Sequence, residues 1–359
     1  SFYTNKMDVK TYNGGGAVVS DFTRVANRSL SWAKSREINY GLDLELFKSR
    51  LYVTADFYSR YIEGQIFRTT LPPYVGFSTL QSNLVDMISN GFEIAVNGYL
   101  FPRTSKFQWE WTLNLARNRT SIAKMGNRGR DIIQAGDGYA FVQGERAYQF
   151  YMKEYLGVLQ AFEDLPVNPY TGAAMVYQMS DAGLAMNLQG RIFPGMPLFT
   201  DADGDYQLYA WYGDSGDSKI ISGKSPDPKI TGGLHTTLKY KGWQLRVNSS
   251  FSFGGYIYNT SLENMLNVYD SMNNYLHRAS YDLSDMDIDF WEAPGDDAYY
   301  PMVYIAYTDG GSARAFQSSS MYLEKNNYWS IDNITLSYTF PTEMIAKIGL
   351  KGLSLSAQM

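Results

Sequence analysis

The sequence predicts an all-β fold, a transmembrane antiparallel β-barrel of which this chain supplies a part, with long extracellular loops. Segments in which apolar and polar residues alternate with a period of 2 recur along the 359 residues, and this period places successive side chains on opposite faces of a sheet. Several segments reach the ~9–11 residues with which a tilted strand crosses a bilayer, whereas strands of soluble proteins average ~5–6. Short turns alternate with long polar connections, as in outer-membrane barrels.

The composition agrees with this class and argues against several others. Aromatic residues make up 16% and charged residues 19% of the chain, and the charged share is below the ~25% of typical soluble domains. The net charge of −5 argues against nucleic acid as a partner. The lack of cysteine excludes disulfides and thiolate metal sites, and the two histidines, His235 and His277, argue against a histidine-rich metal site. The chain has no run of ~18 apolar residues that would predict a transmembrane helix.

Four hairpins carry the alternation. In the first, Tyr40 to Leu46 place leucines on one face, while Asp43 and Glu45 lie on the other. The predicted turns lie near Lys48, Pro102, Lys241 and Pro341. Three tryptophans of the apolar face are expected to lie at the membrane interface, namely Trp109, Trp111 and Trp243.

The alternation predicts nine spanning strands. They lie near residues 37–47, 50–66, 89–101, 106–118, 146–159, 230–241, 243–256, 326–340 and 348–358. The long connections are 119–145, 161–229 and 259–325. An odd number of strands gives an open sheet, and open edges are not tolerated in lipid. The sheet is therefore expected to close with strands that this sequence does not contain.

Two other classes of protein fit part of this pattern. A soluble, secreted all-β protein that binds or cleaves glycans shares the composition, but its polar face usually carries many Lys and Glu residues. Here that face mixes Asn, Gln, Thr and Ser with fewer charges. A structural barrel or adhesin that moves no solute would share the strands and differ only in function.

A series of short motifs occurs in a fixed order. Residues 38–58 fit the pattern NxGLDxxLFxxRLxxxxDFY, residues 89–94 are similar to N(K/G)GxE(I/L), and residues 114–122 fit NxxxNxxxI. The block from 194 to 242 follows PG…DxNGDG…D…P…GGL…YKG, and residues 291–295 follow W…PG. Residues 323–341 fit (L/I)EKxxYxRLxNxTLxYxFP, except that Ser330 stands where the pattern has Arg. In this order the motifs resemble the C-terminal half of the SusC/RagA-like TonB-dependent outer-membrane transporters.

The resemblance implies more than the residues show by themselves. It implies that residues 1–359 form roughly the C-terminal half of a 22-stranded barrel, with the plug domain and the last strands outside this sequence. It also implies a SusD-like surface lipoprotein as a lid, energy from the TonB complex, and a possible dimer of transporter–lid pairs. The expected function is import of oligosaccharides or peptides across the bacterial outer membrane, without catalysis.

One acidic run resembles the first half of a calcium loop. Asp201, Asp203 and Asp205 occupy positions 1, 3 and 5, whose oxygens bind the cation in such loops. Position 6 is Tyr206 where the loop needs Gly, and position 12 is Tyr212 where it needs Glu. Because of these two departures, a solvated acidic turn is the favoured explanation of the run. A structural calcium ion is a weak expectation, and no other cofactor is expected.

Aromatic residues cluster in two predicted external loops. Aromatic faces stack on sugar rings, and tyrosine hydroxyls add hydrogen bonds. The candidate substrate-binding residues are Tyr206, Tyr209, Trp211 and Tyr212 in one loop, and Trp291, Tyr299 and Tyr300 in the other. Packing between loops, or contact with a lid protein, would favour the same residue types.

The polar face is expected to line the lumen. Its charged residues are Asp43, Glu45, Asp56, Arg60, Glu93, Glu110 and Arg246. They could contact a plug or a solute, although hydration of the lumen wall explains them as well. His235 shares this face and has no partner in the sequence that would make it a catalyst.

Overall fold

The computed structural model describes residues 7–12, 15–20, 24–71, 73–126, 132–134, 138–178, 189–209, 217–266, 288–302 and 318–359. The strands, in chain order, are β1 (Met7–Tyr12), β2 (Gly15–Ser20), β3 (Arg24–Val25), β4 (Lys34–Leu46), β5 (Leu51–Thr70), β6 (Thr79–Tyr99), β7 (Phe107–Met125), β8 (Ile132–Gln134), β9 (Tyr139–Phe141), β10 (Gln149–Lys153), β11 (Tyr155–Val158), β12 (Val176–Gln178), β13 (Gln189–Arg191), β14 (Pro197–Phe199), β15 (Gln207–Tyr209), β16 (Ser218–Ile220), β17 (Ile230–Tyr240), β18 (Trp243–Tyr258), β19 (Leu323–Thr339) and β20 (Ser354–Gln358). The α-helices are α1 (Thr260–Leu266) and α2 (Thr342–Ile345), and 3-10 turns occupy Pro73–Val75, Phe162–Asp164, Ser320–Tyr322 and Ala346–Ile348. Within the described residues, no helix is both long enough and apolar enough to cross a membrane.

The dominant element is one large antiparallel sheet, here called the wall. Its strands follow the order β20-β19-β18-β17-β7-β6-β5-β4, in which neighbouring strands are hydrogen-bonded to each other. The short strand β3 lies off this path and pairs in parallel with β6. The connections at one end of the wall are 47–50, 100–106, 241–242 and 340–353. The two longest connections, 126–229 and 259–322, lie at the other end, which is here called the external end. In the turn between β17 and β18, Lys241 and Gly242 both have positive φ, as a two-residue hairpin of type I′ requires. This wall confirms the predicted partial barrel.

In the central part of the wall, the register places the large apolar residues of neighbouring strands on one face. Leu44 lies opposite Val53, Val53 opposite Val96, and Val96 opposite Leu113. The row continues through Leu234 on β17. Many of these side chains are exposed although they are apolar, and Leu42 is 52% exposed. Because lipid is the solvent that favours such a face, the register agrees with a membrane-spanning wall and argues against the soluble alternative.

Aromatic side chains mark both margins of this apolar face. At the short-turn end, the rings of Trp243 and Tyr338 are 4.7 Å apart; at the external end, those of Phe251 and Trp329 are 6.0 Å apart. Phe251 lies eight residue steps beyond Trp243. This is about 26 Å along a strand and roughly 20 Å along the membrane normal after a tilt of ~35–45°. This span is close to the ~25 Å apolar band of outer-membrane barrels. Trp109 lies at the short-turn margin, 39% exposed, as predicted.

The predicted strand at 146–159 is wrong. This segment forms β10 and β11, which belong to two separate small sheets outside the wall. Tyr148 has a positive φ, and a register shift lies between Tyr155 and Gly157, so the extended run is interrupted twice. Side chains of β10 are buried at Gln149, Phe150 and Lys153, whereas a spanning strand would expose one face to lipid.

The strand boundaries differ from the prediction as well. Among the described residues, the wall path contains eight strands, not the nine predicted, because 146–159 lies outside it. β6 begins at Thr79, ten residues earlier than predicted, and β7 continues to Met125, so the predicted loop at 119–145 begins inside a strand. The last strand is only Ser354–Gln358, because α2 and a 3-10 turn continue to Ile348 and the strand begins six residues later.

Candidate functional site

The long external connections fold into a packed unit, here called the loop assembly, which comprises the described residues of 138–229 and 259–322. One hydrophobic cluster within it contains Leu159, Leu165, Met175, Ile192, Met196, Phe199 and Leu208. A second cluster joins the assembly to the wall, because Phe141 and Ala147 pack against Met87 and Ile122 on the lumen-facing side of β6 and β7. The assembly therefore folds inward, towards the lumen.

Trp291 is a packing residue of the loop assembly. Its side chain is only 7% exposed, and its Nε1 donates a hydrogen bond to Gln160 Oε1 at 3.0 Å. The backbone N–H of Gly295 donates to the same oxygen at 3.0 Å, and Gln160 Nε2 donates to the Asp296 carbonyl at 3.1 Å. The single amide of Gln160 thus holds the turn that follows the tryptophan.

The indole of Trp291 also fixes the other long loop. A Cβ atom at Gly195 would lie 2.6 Å from two carbons of the Trp291 ring, so only glycine allows this approach. The N–H of Met302 donates to the Gly195 carbonyl at 2.9 Å. The Pro-Gly segment at 194–197 and the Trp-containing segment at 291–295, which are far apart in sequence, therefore pack directly on each other.

The adjacent tyrosines form a hydrogen-bonded cluster. Tyr155 lies edge-on to Tyr299 at 5.5 Å, and Tyr299 lies edge-on to Tyr300 at 4.9 Å. The Tyr155 hydroxyl donates to the Tyr299 carbonyl at 2.5 Å, and the Tyr299 hydroxyl donates to the Met321 carbonyl at 3.1 Å. Tyr299 keeps 51% of its surface exposed, so it can offer a ring face to a solute while its hydroxyl stays bonded.

Burial keeps these phenols protonated. It raises the pKa of Tyr300 to about 12, with smaller contributions from the charges of Tyr299 and Glu324. Burial likewise raises the pKa values of Tyr155 and Tyr322 well above the usual range. The hydroxyls therefore remain hydrogen-bond donors at any physiological pH.

The aromatic residues predicted in the first loop are only partly described. Tyr206 has a positive φ of 62°, and its N–H donates to Asp201 Oδ2 at 2.8 Å. Tyr209 is the last residue of β15, and Trp211 and Tyr212 lie outside the described residues. The structure thus brings together Trp291, Tyr299 and Tyr300 of the second loop, while substrate contact by either group stays a prediction.

The predicted calcium residues converge. One carboxylate oxygen from each of Asp201, Asp203 and Asp205 lies within 4.8 Å of the others. The same carboxylates accept backbone N–H groups, including that of Gly204 on Asp201 at 2.7 Å and that of Gln207 on Asp205 at 2.7 Å. The turn is therefore stabilised by its own hydrogen bonds, and calcium binding stays a prediction.

A concave surface lies on the lumen face of the wall. It encloses about 440 Å³, and its polar lining includes Asp56, Glu93, His235 and Asp332. His235 Nδ1 and Asn248 Oδ1 are 3.1 Å apart, so the histidine belongs to the polar lining without a catalytic partner among the described residues. The register places all the charged residues that were predicted to line the lumen on this face. They are Asp43, Glu45, Asp56, Arg60, Glu93, Glu110 and Arg246.

The comparisons with known proteins agree with this architecture. No protein-family model matches the chain. Among curated proteins, TonB-dependent receptor P3 of Formosa agariphila is 26% identical over 348 residues, which cover 95% of this chain and 30% of that receptor. TonB-dependent receptor P39 of the same organism is 25% identical, covering 94% of this chain and 32% of its own length. TonB-dependent receptor SusC of Bacteroides thetaiotaomicron is 23% identical, covering 88% of this chain and 27% of its own length.

This chain is homologous to SusC/RagA-like TonB-dependent receptors. The solved RagAB peptide transporter has the same fold, with a TM-score of 0.69, 19% identity, and coverage of 99% of this chain and 34% of that one. The RagAB importer in its closed-closed state gives a TM-score of 0.70 at 19% identity, again covering 99% of this chain and 34% of that one. The chain spans about a third of the length of the relatives it matches. The outer-membrane location and the barrel class predicted from the sequence are confirmed.

Several residues of the site were not predicted from the sequence. Gln160 and Tyr155 were assigned to or beside a spanning strand, and no local signal links them to Trp291 or Tyr299. Two exposed apolar residues of the loop assembly were also missed, since Tyr170 is 94% and Phe162 is 62% exposed. Tyr170 follows Asn168-Pro169 and Phe162 precedes Glu163-Asp164, so each lies in what looks like an ordinary polar loop. Only exposure in the folded state distinguishes them.

Proposed function

We propose that the whole protein imports a nutrient across the bacterial outer membrane, and that this chain supplies part of the barrel wall and the external loops. The observation that carries the proposal is the inward fold of the loop assembly onto the lumen-facing side of a polar-lined wall. Such an arrangement presents loop side chains to a solute that enters the barrel. Catalysis is not part of the proposal, since the relatives are named as receptors and transporters.

We propose oligosaccharides or peptides as the substrate class. The exposed ring face of Tyr299 suits either, because aromatic faces stack on sugars and pack on peptide side chains alike. Tyr300 and Tyr206, both half-buried, are candidate neighbours of the solute. Trp291 supports the site by packing, since it has little surface to offer a ligand.

The proposed partners are a SusD-like surface lipoprotein and the TonB complex. The lipoprotein would cover the loop assembly, where Phe162, Val167 and Tyr170 expose apolar surface. The TonB complex would act through parts of the protein outside this chain. A dimer of transporter–lipoprotein pairs is included in the proposal.

Gene deletion with complementation tests the function. We expect the deletion strain to lose growth on, and uptake of, one class of labelled solute, either oligosaccharides or peptides, and the intact gene to restore both. The Tyr299→Ala variant should reduce uptake of that solute while surface expression stays normal. Tyr299→Phe is the matched control, because it keeps the ring and removes only the hydroxyl bond to Met321.

Two results would contradict the proposal. Growth and uptake that are unchanged on every solute would favour a structural barrel or adhesin. Recovery of the native protein from cells without detergent would contradict a membrane barrel and favour the soluble glycan-binding alternative.

A further inference from the structure

The outward face of β7 changes from apolar to cationic at its external end. From Phe107 to Leu115, every second residue is aromatic or leucine, and the next two residues on this face are Arg117 and Arg119. The register supports the assignment, because Arg117 lies opposite Phe92 of the apolar face. Both arginines are exposed.

A third arginine joins this pair from the loop assembly. Arg146 forms an antiparallel bridge with Ser121, the next outward residue of β7, so its side chain lies on the same face. Arg119 Nε donates to Ser121 Oγ at 3.3 Å. Burial lowers the pKa of Arg146, and the positive charges of Arg119 and Arg117 lower it further. The three guanidinium groups are therefore close enough to repel one another.

The cluster keeps a positive charge after its neighbours are counted. Asp227 faces Arg146, whose Nη1 donates to the Asp227 carbonyl at 3.3 Å, and the Asp227 carboxylate offsets part of the charge. Farther along the same face, Arg36 is neutralised by Glu63 at 3.1 Å. Among the described residues, neither Arg117 nor Arg119 forms an ion pair. Three guanidinium groups thus face one carboxylate.

The height of the cluster points to the polar head groups of the outer leaflet. Phe107 marks the short-turn margin of the apolar face, and Leu115 is its last apolar residue on β7. The eight residue steps from one to the other cover about 26 Å of strand, or roughly 20 Å of bilayer after tilt. Arg117 and Arg119 come directly above this band, where long basic side chains reach head groups.

We propose that Arg117, Arg119 and Arg146 bind the phosphate groups of an anionic glycolipid in the outer leaflet of the membrane. Guanidinium groups pair with phosphate in a bidentate geometry, and three of them can share one phosphorylated head group. The apolar residues below, ending at Leu115, would contact its acyl chains. The site lies on the lipid side of the wall, so the inference does not depend on which solute the lumen carries.

The test uses the whole transporter, purified in detergent and titrated with a phosphorylated glycolipid of the lipid A type. Bound lipid is counted by native mass spectrometry for the native protein and for the double variant Arg117→Gln/Arg119→Gln. We expect lipid binding to weaken about tenfold or more in the variant, since each basic side chain near an anionic surface contributes a factor of about five. The control is the double variant Arg103→Gln/Lys106→Gln, on exposed turn residues just before β7. It removes the same amount of charge at the opposite end of the strand, so it should bind the lipid as the native protein does.

Five results would overturn the proposal. Equal binding by the double variant, or equal weakening in the control, would show that the cluster does not hold the lipid. Equal binding of the same glycolipid without its phosphates would show acyl-chain packing alone, and displacement by inorganic phosphate with matching affinity would show a site for free phosphate. Loss of lipoprotein association with unchanged lipid binding would assign the cluster to a protein contact. If the double variant does not fold, Arg119→Gln and Arg119→Lys are measured instead, and only the former should weaken binding strongly.

Discussion

In the wall, strands pair over most of their length and large apolar side chains are exposed, whereas in the loop assembly strands of three to five residues surround large side chains that are buried. Leu42 of the wall is 52% exposed, and Leu159 of the loop assembly is 2% exposed. The difference reflects two solvents, because lipid solvates the apolar face of the wall and water surrounds the loops. The same chain therefore places leucine outside in one region and inside in the other, and the two regions should respond differently to substitution.

The largest expected effect is in the loop assembly. Trp291→Ala removes an indole that packs on Gly195 and bonds to Gln160, and deletion of a buried aromatic costs about 3–5 kcal/mol. We expect the loop assembly to open locally while the wall remains folded. Hydrogen exchange should show faster exchange in both loops at once, near Met302 and near Gly195. Unchanged protection in either loop would contradict the cross-loop role, and exposed Tyr170→Ala is the control that should have little effect.

A charge on the apolar face should have the next largest effect. Leu113→Arg places a guanidinium towards lipid, which costs about 2–4 kcal/mol near the middle of the bilayer. Asn114→Arg, one residue farther along β7, faces the lumen and should be nearly neutral. Denaturant unfolding from vesicles measures both. Equal destabilisation by the two variants would contradict the assignment of the faces.

The buried lysine of the loop assembly should make its stability depend on pH. Burial lowers the pKa of Lys153 to about 8, and the charge of Asp217 opposes this shift only in part. In the unfolded chain the pKa of this lysine is near 10.5. Between about pH 8 and pH 10.5 the unfolded state therefore binds more protons than the folded state, so the free energy of unfolding of the assembly rises with pH, by about 3 kcal/mol at most. Proteolysis of the loops at pH 7 and pH 9.5 measures this. Lys153→Met should abolish the rise, and a native protein whose cleavage rate is the same at both pH values would contradict it.

The smallest expected effect concerns calcium. The carboxylates of Asp201, Asp203 and Asp205 converge, but backbone N–H groups already occupy several of their oxygens. We therefore expect at most weak binding, with a Kd of about 10⁻⁴–10⁻³ M. Titration calorimetry with calcium, against the Asp201→Asn/Asp203→Asn variant, decides the matter. No heat from the native protein would remove calcium from this loop.

The wall could be predicted from the sequence because its signal is local. In β7, Trp109, Trp111 and Leu113 alternate with polar residues, and each strand pairs with a partner of the same pattern. The external ends of β6 and β7 were missed because loop residues cover them there. Met87 and Ile122 are buried on the lumen-facing side, so the alternation of apolar and polar residues fades before the strand ends.

The loop assembly resisted prediction because its contacts are distant in sequence. The acidic turn at Asp201 was recognised, since its hydrogen bonds span only two to five residues. The burial of Trp291 depends on Gln160, which is 131 residues away, and nothing near either residue indicates the pairing. Segment 146–159 was assigned to the wall because its extended residues resemble a spanning strand, whereas they pair with β9, β14 and β16 and with no strand of the wall.

The contact between Gly195 and the Trp291 ring has a consequence for the exchange of loops among related receptors. A hybrid receptor that received only one of the two long loops would place the Trp291 ring against a residue other than glycine, or would leave an empty space beside Gly195. Either mismatch would disturb both loops, because the N–H of Met302 also bonds to Gly195. If the loops determine the solute, a change of solute preference in this kind of barrel should therefore require the exchange of both loops together.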